Sequence, residues 1–303
     1  MAGWPNLSDL VSVEHRDARV ALLGAPLAAG SVTPGACDQA PGLLRRTLRR
    51  IGRYDIDTRR ELATPVLDRG DVDLAELSID QATPPLADAV WLSVAAHELT
   101  LVIGGNNAVT RPAVHGLAKA LNLPLDRIGL ITLDAHFDMR DLDQGLSNGN
   151  PVRALIEDGL PGRNIAQIGL APWANTRSMH ELALASGNLV TTAAEVRRLG
   201  VHGAVNQALG RLEHLDAIAV DCDIDVIDRS QFPAAPGARA DGLAAHEFFE
   251  AARLLAAHPK VRVTDLTEWD PPLDPTDLSA LTAARWVAEC LAGFEMRQAP
   301  SRA

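Results

Sequence analysis

The chain has 303 residues, 47% hydrophobic and 22% charged, which is enough apolar material for one large α/β domain or two small ones. Its 28 basic and 39 acidic residues leave a formal charge of −11, and aromatics are only 4%. That balance argues against a nucleic-acid face, a base-stacking surface or an anionic membrane as partner. Cys37, Cys222 and Cys290 are too few and too scattered for a disulfide framework. No basic segment followed by an apolar one marks export, and the longest apolar stretch, residues 86–105, is broken by Asp88, His97 and Glu98. A cytoplasmic globular protein is the expectation.

Short apolar runs alternate with helical patterns along the chain. Residues 19–23 read as a strand that leads, after Gly24-Ala25-Pro26, to a helix near residues 42–51. Residues 98–103 end in Gly104-Gly105 and precede a helix over 115–121. The run Ile128–Leu133 stops at Asp134, and residues 164–170, 216–220 and 260–266 repeat the theme, with helices near 193–199, 244–257 and 277–291. Runs apolar throughout, joined by helices, predict a mainly parallel sheet covered on both faces. The expected architecture is a three-layer α/β/α fold in a single domain over residues 1–303. In such folds the chemistry lies beyond the carboxyl ends of the strands.

Two polar clusters sit at such ends. Asp134-Ala-His136-Phe-Asp138 follows one strand and Asp221-Cys-Asp223-Ile-Asp225 follows another. A spacing of two in extended chain sends alternate side chains to one side. Buried carboxylates need compensating cations, and only Arg140 and Arg229 lie nearby in sequence. Either cluster alone reads equally well as strand-end caps and solvated loop acids. Two together, after separate strands, favour a pair of divalent metals, with Mn²⁺ first for mixed carboxylate and imidazole donors.

With these residues in view the chain resembles the ureohydrolases, the family of arginase, agmatinase and formimidoylglutamase. The likeness is colinear: Leu22-Leu23-Gly24-Ala25-Pro26, Pro34-Gly35-Ala36, Asp68-Arg-Gly70-Asp71, Gly104-Gly105-Asn106-Asn107, Asp134 to Asp138, Asn148-Gly149-Asn150-Pro151, Asp221 to Asp225, Pro236-Gly237 and Glu268-Trp-Asp-Pro-Pro272. The resemblance implies two Mn²⁺ ions, with Asp134 and Asp223 contacting both, Asp138 serving one, and His136 with Asp225 the other. It implies an acidified water as nucleophile, Glu268 as the carboxylate that holds a cationic amidine, and Asp138 as the group that takes and returns a proton. It also implies a homo-oligomer, a trimer or hexamer.

The chain departs from the family pattern at Asn107, where the family has a metal-ligating histidine. Three outcomes stay open: Asn107 ligates weakly, one metal site is vacant, or catalysis is lost. Asn148 is a second departure from arginase-like members, which carry a histidine there. Arg140 and Arg153 suit a substrate with an acidic end, because a guanidinium fork binds carboxylate bidentately; the alternative is pairing with Asp141, Asp143 or Glu157. The stretch from Asp134 to Arg153 looks most like formimidoylglutamases, which implies N-formimino-L-glutamate as substrate. The expected substrate-binding set is Arg140, Asn148, Arg153 and Glu268. A guanidino hydrolase releasing urea and a metal-poor, non-catalytic relative are the other readings. Cys222 reads as a small core residue, Asp221 as a strand-end acceptor, and His246 with Glu247 as a helix start, while Trp269 is either a pocket wall or core.

Overall fold

The runs 20–25, 99–104, 128–133, 165–170 and 217–223 are buried at every position, as strands covered on both faces must be. The computed structural model describes residues 4–297. Its strands are β1 (Val11–Ser12), β2 (Val20–Ala25), β3 (Tyr54–Asp55), β4 (Arg60–Glu61), β5 (Val66–Asp71), β6 (Leu99–Gly104), β7 (Ile128–Leu133), β8 (Ile165–Leu170), β9 (Leu189–Thr192), β10 (Ala217–Asp223) and β11 (Val261–Thr267). Its helices are α1 (Ala40–Thr47), α2 (Ile79–Ala96), α3 (Thr110–Leu121), α4 (Pro151–Glu157), α5 (Arg177–Ser186), α6 (Ala193–Leu199), α7 (Val201–Leu212), α8 (Ala245–Ala257) and α9 (Leu278–Met296).

Nine strands form one parallel sheet in the order β1-β5-β2-β6-β11-β10-β7-β8-β9, and β3 and β4 form a separate antiparallel pair. Strand parity divides the core. Ile218, Val220 and Cys222 of β10 face a layer built from α1 and α6–α9, while Ala217 and Ala219 face α2–α5. The predicted three-layer α/β/α arrangement is therefore present. All six expected strands lie in the sheet, four of them (β6, β11, β10 and β7) side by side at its centre.

Elements the sequence reading passed over have physical reasons for being hard to see. The carboxyl half of β5 is Asp68-Arg69-Gly70-Asp71, half-buried rather than apolar. Its acids are held by Arg45 of α1, 2.8 Å from Asp68 and 2.5 Å from Asp71. Helix α2 contains Pro84 and Pro85, which remove two backbone donors. A capping box between Ser78 and Gln81 starts it, and the buried stripe Ile79, Ala82, Leu86, Val90 and Val94 outweighs the loss. Burial of each large apolar side chain there contributes roughly 1.5–3 kcal/mol.

Candidate metal centre

The four central strands deliver the site. Asn107 opens the turn after β6, Asp134, His136 and Asp138 follow β7, Asp221 and Asp223 end β10, Asp225 lies in the next turn, and Glu268 comes directly after β11. Pleat alternation does not align the first cluster as expected, because β7 ends at Leu133. Instead Asp134 Oδ1 accepts the backbone N–H of His136 at 2.6 Å and folds the segment into a turn. Asp223 Oδ1 accepts the N–H of Asp225 at 3.0 Å in the same manner. These side chains converge through Asx turns. Asp138 and Glu268 have φ of +52° and +61°, a region that costs a non-glycine residue about 1 kcal/mol or more and that clusters at functional sites.

Asp134, Asp138, Asp223, Asp225 and Glu268 are all buried. His136 Nδ1 lies 2.9 Å from Asp225 Oδ2 and 3.5 Å from Asp134 Oδ1, and the three residues bring ligand atoms within 4.8 Å of one another. Asp134 Oδ2 is buried with no hydrogen-bond partner among the described residues. Burial, with Asp225 nearby, pushes the Asp134 carboxyl up to about 7. Burial and neighbouring carboxylates hold Asp138 and Asp223 well above the usual carboxylate range. Burial opposes a charge on His136, but Asp225 and Asp134 outweigh it and raise the imidazole to about 11. Without a cation, shared protons and one imidazolium must offset this charge. Divalent cations offset it better, and the carboxylate and imidazole donors suit Mn²⁺. The grouped donors His136, Asp134 and Asp225 fit one such ion, while Asp223 and Asp138 stand outside that grouping among the described residues and are the candidates for the rest of a two-ion centre.

Asn107 faces this set with its nitrogen. Its Nδ2 donates to Asp138 Oδ2 at 2.5 Å and to Asp221 Oδ2 at 3.4 Å, while its Oδ1 accepts from Thr110 Oγ1 at 2.9 Å and Thr267 Oγ1 at 3.0 Å. An amide has one accepting and one donating end, and here the accepting end is occupied by hydroxyls. The backbone N–H of Asn107 donates to Glu268 Oε1 at 2.7 Å, and Asn148 Nδ2 donates to the same oxygen at 2.9 Å. Burial raises Glu268 to about 7 against those two donors. One oxygen is thus fixed and the other is left for a cation.

The arginines separate. Arg153 pairs with Glu157 at 2.9 Å, whereas exposed Arg140 forms no ion pair among the described residues. Arg229 donates to the carbonyls of Ala235, Pro236 and Ala238, bracing a loop whose Gly237 closes on the site. A Cβ at Gly237 would stand 2.0 Å from Asp225 Oδ2 and 3.0 Å from His136 Cε1. Cys222 and Trp269 are core residues, and Glu247 caps α8 through the N–H of Ala244. Asp221 pairs in register with Asp265 of β11, and burial raises both carboxyls.

Sequence reasoning missed Thr110, Thr267 and Asn175, and had Gly237 only as part of the resemblance, with no role. Asn175 accepts from the N–H of Phe137 and donates to the carbonyl of Ala135, each at 2.9 Å, so it holds the segment that carries His136. No local pattern marks them: Thr267 and Asn175 act on chain 38 or more positions away, and Thr110, three positions from Asn107, reads as an ordinary helix start.

A parallel α/β sheet with buried carboxylates and an imidazole at its central strand ends defines a metallohydrolase-type site. The chain belongs to the arginase family, whose model matches residues 18–293. It is similar to the formimidoylglutamase of Bacillus subtilis (strain 168), with 26% identity over 298 residues, covering 96% of this chain and 92% of that protein. The crystal structure of the formimidoylglutamase from Bacillus subtilis subsp. subtilis str. 168 superposes with a TM-score of 0.90 at 25% identity, covering 98% of this chain and 94% of that one. The structure of Trypanosoma cruzi formiminoglutamase with Mn²⁺ gives a TM-score of 0.88 at 25% identity, covering 97% and 99%.

Proposed function

We propose that the chain hydrolyses the linear amidine C–N bond of N-formimino-L-glutamate, giving L-glutamate and formamide, at a centre for two Mn²⁺ ions. The observation that carries this reading is the Glu268 carboxylate, buried beside the acid cluster and gripped on one oxygen by Asn107 and Asn148. Its free oxygen receives a planar cation. End-to-end similarity to formimidoylglutamases supports an amidine as that cation and L-glutamate as its carrier.

When bound, the ions acidify the attacking water. Glu268 holds the amidinium and turns its carbon towards the acid cluster. Asp138, aligned by Asn107, takes a proton from the attacking water and returns it to the departing amine of glutamate. Arg140 takes the substrate's acidic end. Water adds its oxygen to the formimino carbon of the amidinium, the bond from that carbon to the glutamate nitrogen breaks, and both of the water's hydrogens end on that nitrogen, so formamide and the ammonium form of glutamate account for every atom and charge. The reading extends to one catalytic domain over residues 1–303, acting as a cytoplasmic homo-oligomer, a trimer or hexamer. Among the described residues no helix is long and apolar enough to cross a membrane.

The test is a panel of N-formimino-L-glutamate, agmatine and L-arginine with Mn²⁺-loaded protein. Formamide from the first supports the proposal. Urea from either of the others in its place overturns it.

A further inference from the structure

Gly149 stands in a part of the site where no backbone demand explains a glycine. Its φ lies outside the left-handed region, and the three atoms that an added Cβ would meet first all belong to Arg140: Cδ at 2.6 Å, Nε at 2.8 Å and Cγ at 3.5 Å. The stem of Arg140 therefore lies across the bare backbone of Gly149, and the two residues are also joined by the Arg140 N–H donating to the Gly149 carbonyl at 3.1 Å. The turn beneath is rigid. Asn150 Oδ1 accepts from the N–H of Ser147 at 2.8 Å, and Asn150 Nδ2 donates to the carbonyls of Asp141 and Gly145 at 3.1 and 3.0 Å.

The next residue back, Asn148, props Glu268 at 2.9 Å and accepts from the N–H of Val32 at 2.7 Å. Two adjacent residues of one braced turn thus seat the cationic and the anionic recognition groups, Gly149 under Arg140 and Asn148 against Glu268. That pairing of groups suits a molecule with a cationic amidine at one end and a carboxylate at the other. Asp141 and Asp143 flank Arg140, yet among the described residues no carboxylate pairs with it.

We propose that Gly149 is a positioning residue for substrate selection: its missing side chain gives the Arg140 stem a fixed seat, which presents the guanidinium to the acidic end of the substrate. The proposal rests on the reading that Arg140 receives that carboxylate. A Cβ at position 149 would displace the stem, and none of the three atoms it meets first belongs to Glu268 or the acid cluster.

A double-mutant cycle tests this on Mn²⁺-loaded protein, using wild type, Gly149→Ala, Arg140→Ala and the double variant. KM and kcat for N-formimino-L-glutamate are read together with metal content, melting temperature and equilibrium binding of L-glutamate. Each single substitution should raise KM about 10–100-fold and weaken L-glutamate binding in parallel, with kcat falling much less. The double variant should be no worse than Arg140→Ala, because Gly149 acts only through that side chain. An equal loss on adding Gly149→Ala to Arg140→Ala overturns the proposal, as does an unchanged KM for Gly149→Ala alone. An unchanged KM and unchanged L-glutamate binding for Arg140→Ala overturns the underlying assignment of the carboxylate, and Gly149 falls with it. If wild type turns over no amidine, the function reading fails, and the L-glutamate binding cycle still decides for or against the seat.

Discussion

Asn107 donates its side-chain amide to Asp138, and Thr110 and Thr267 hold the other end of that amide by its oxygen. Reversing the amide would set its oxygen 2.5 Å from Asp138 Oδ2 and leave that buried acceptor without its amide donor, whereas the Thr110 and Thr267 hydroxyls could turn to accept the nitrogen. A buried acceptor stripped of its donors loses on the order of 1–3 kcal/mol. The side chain that replaces the family's histidine therefore aligns a carboxylate and keeps its own oxygen away from the cluster.

From this orientation unequal metal binding is expected. The ion held by His136, Asp134, Asp223 and Asp225 should survive dialysis, and the ion left to Asp134, Asp138 and Asp223 should be lost readily. Asn107→His should supply a nitrogen donor and tighten the weaker site about 10–100-fold, on the scale of changes around metal ligands. Elemental analysis before and after dialysis reads this directly. Two ions held with equal strength in wild type contradict it.

Asp223→Ala should be worse than any change at position 107, because the carboxylate it removes would serve both ions. Neither ion should survive dialysis in that variant. Retention of one ion at wild-type affinity would show that Asp223 is not shared.

Gly237→Ala should damage the tight site from outside the ligand set. Its Cβ would enter the space of Asp225 Oδ2 and His136 Cε1. Metal retention should fall at least ~10-fold, since mutating a group that supports a ligand typically has that effect. The metal-free melting temperature should fall too, because the same Cβ displaces the Asp225–His136 pair. A variant that keeps both its metal and its activity would remove Gly237 from the site.

The metal-free chain should lose stability as pH rises. Asp134 and Glu268 titrate near 7 when folded, so between their ordinary values and about 7 the folded state binds more protons than the unfolded one. Stability then falls with rising pH through that window. His136 acts with the same sign: raised to about 11, it contributes stability that is complete below 6.5 and is lost as pH climbs towards 11. Bound Mn²⁺ replaces those protons, so the rise in melting temperature on adding Mn²⁺ should grow from pH 5 to pH 8. Equal shifts at both pH values would show that the cluster does not bind the ion.

Arg153→Ala should raise KM for N-formimino-L-glutamate less than ~2-fold, since its guanidinium is committed to Glu157 one helical turn away. Such an exposed pair contributes about 0.3–0.5 kcal/mol to stability. A KM increase matching that of Arg140→Ala would show that the pair opens for substrate.

The sequence alone determined the sheet and its chemical edge. Runs such as Ile128–Leu133 are apolar but for Thr132, as suits a strand covered on both faces, and the acids crowd directly after them. Strands with charged ends, such as β5, and a helix seeded with prolines, such as α2, escaped that signal because capping and tertiary burial decide them rather than local pattern. Strand pairing is non-local, so only the folded chain sets Asn107, Asp138, Asp221 and Glu268 side by side from four different strand ends. The direction of the Asn107 amide belongs to the same class. Residue type permits either end to face the carboxylates, and hydroxyls accept as readily as they donate, so it is the acceptors Asp138 and Asp221, brought up after β7 and on β10, that draw the nitrogen towards them. Arg140 and Arg153 read alike in sequence, and the difference between them is decided by neighbours: a helical turn places Glu157 beside one, and a bare glycine seats the other.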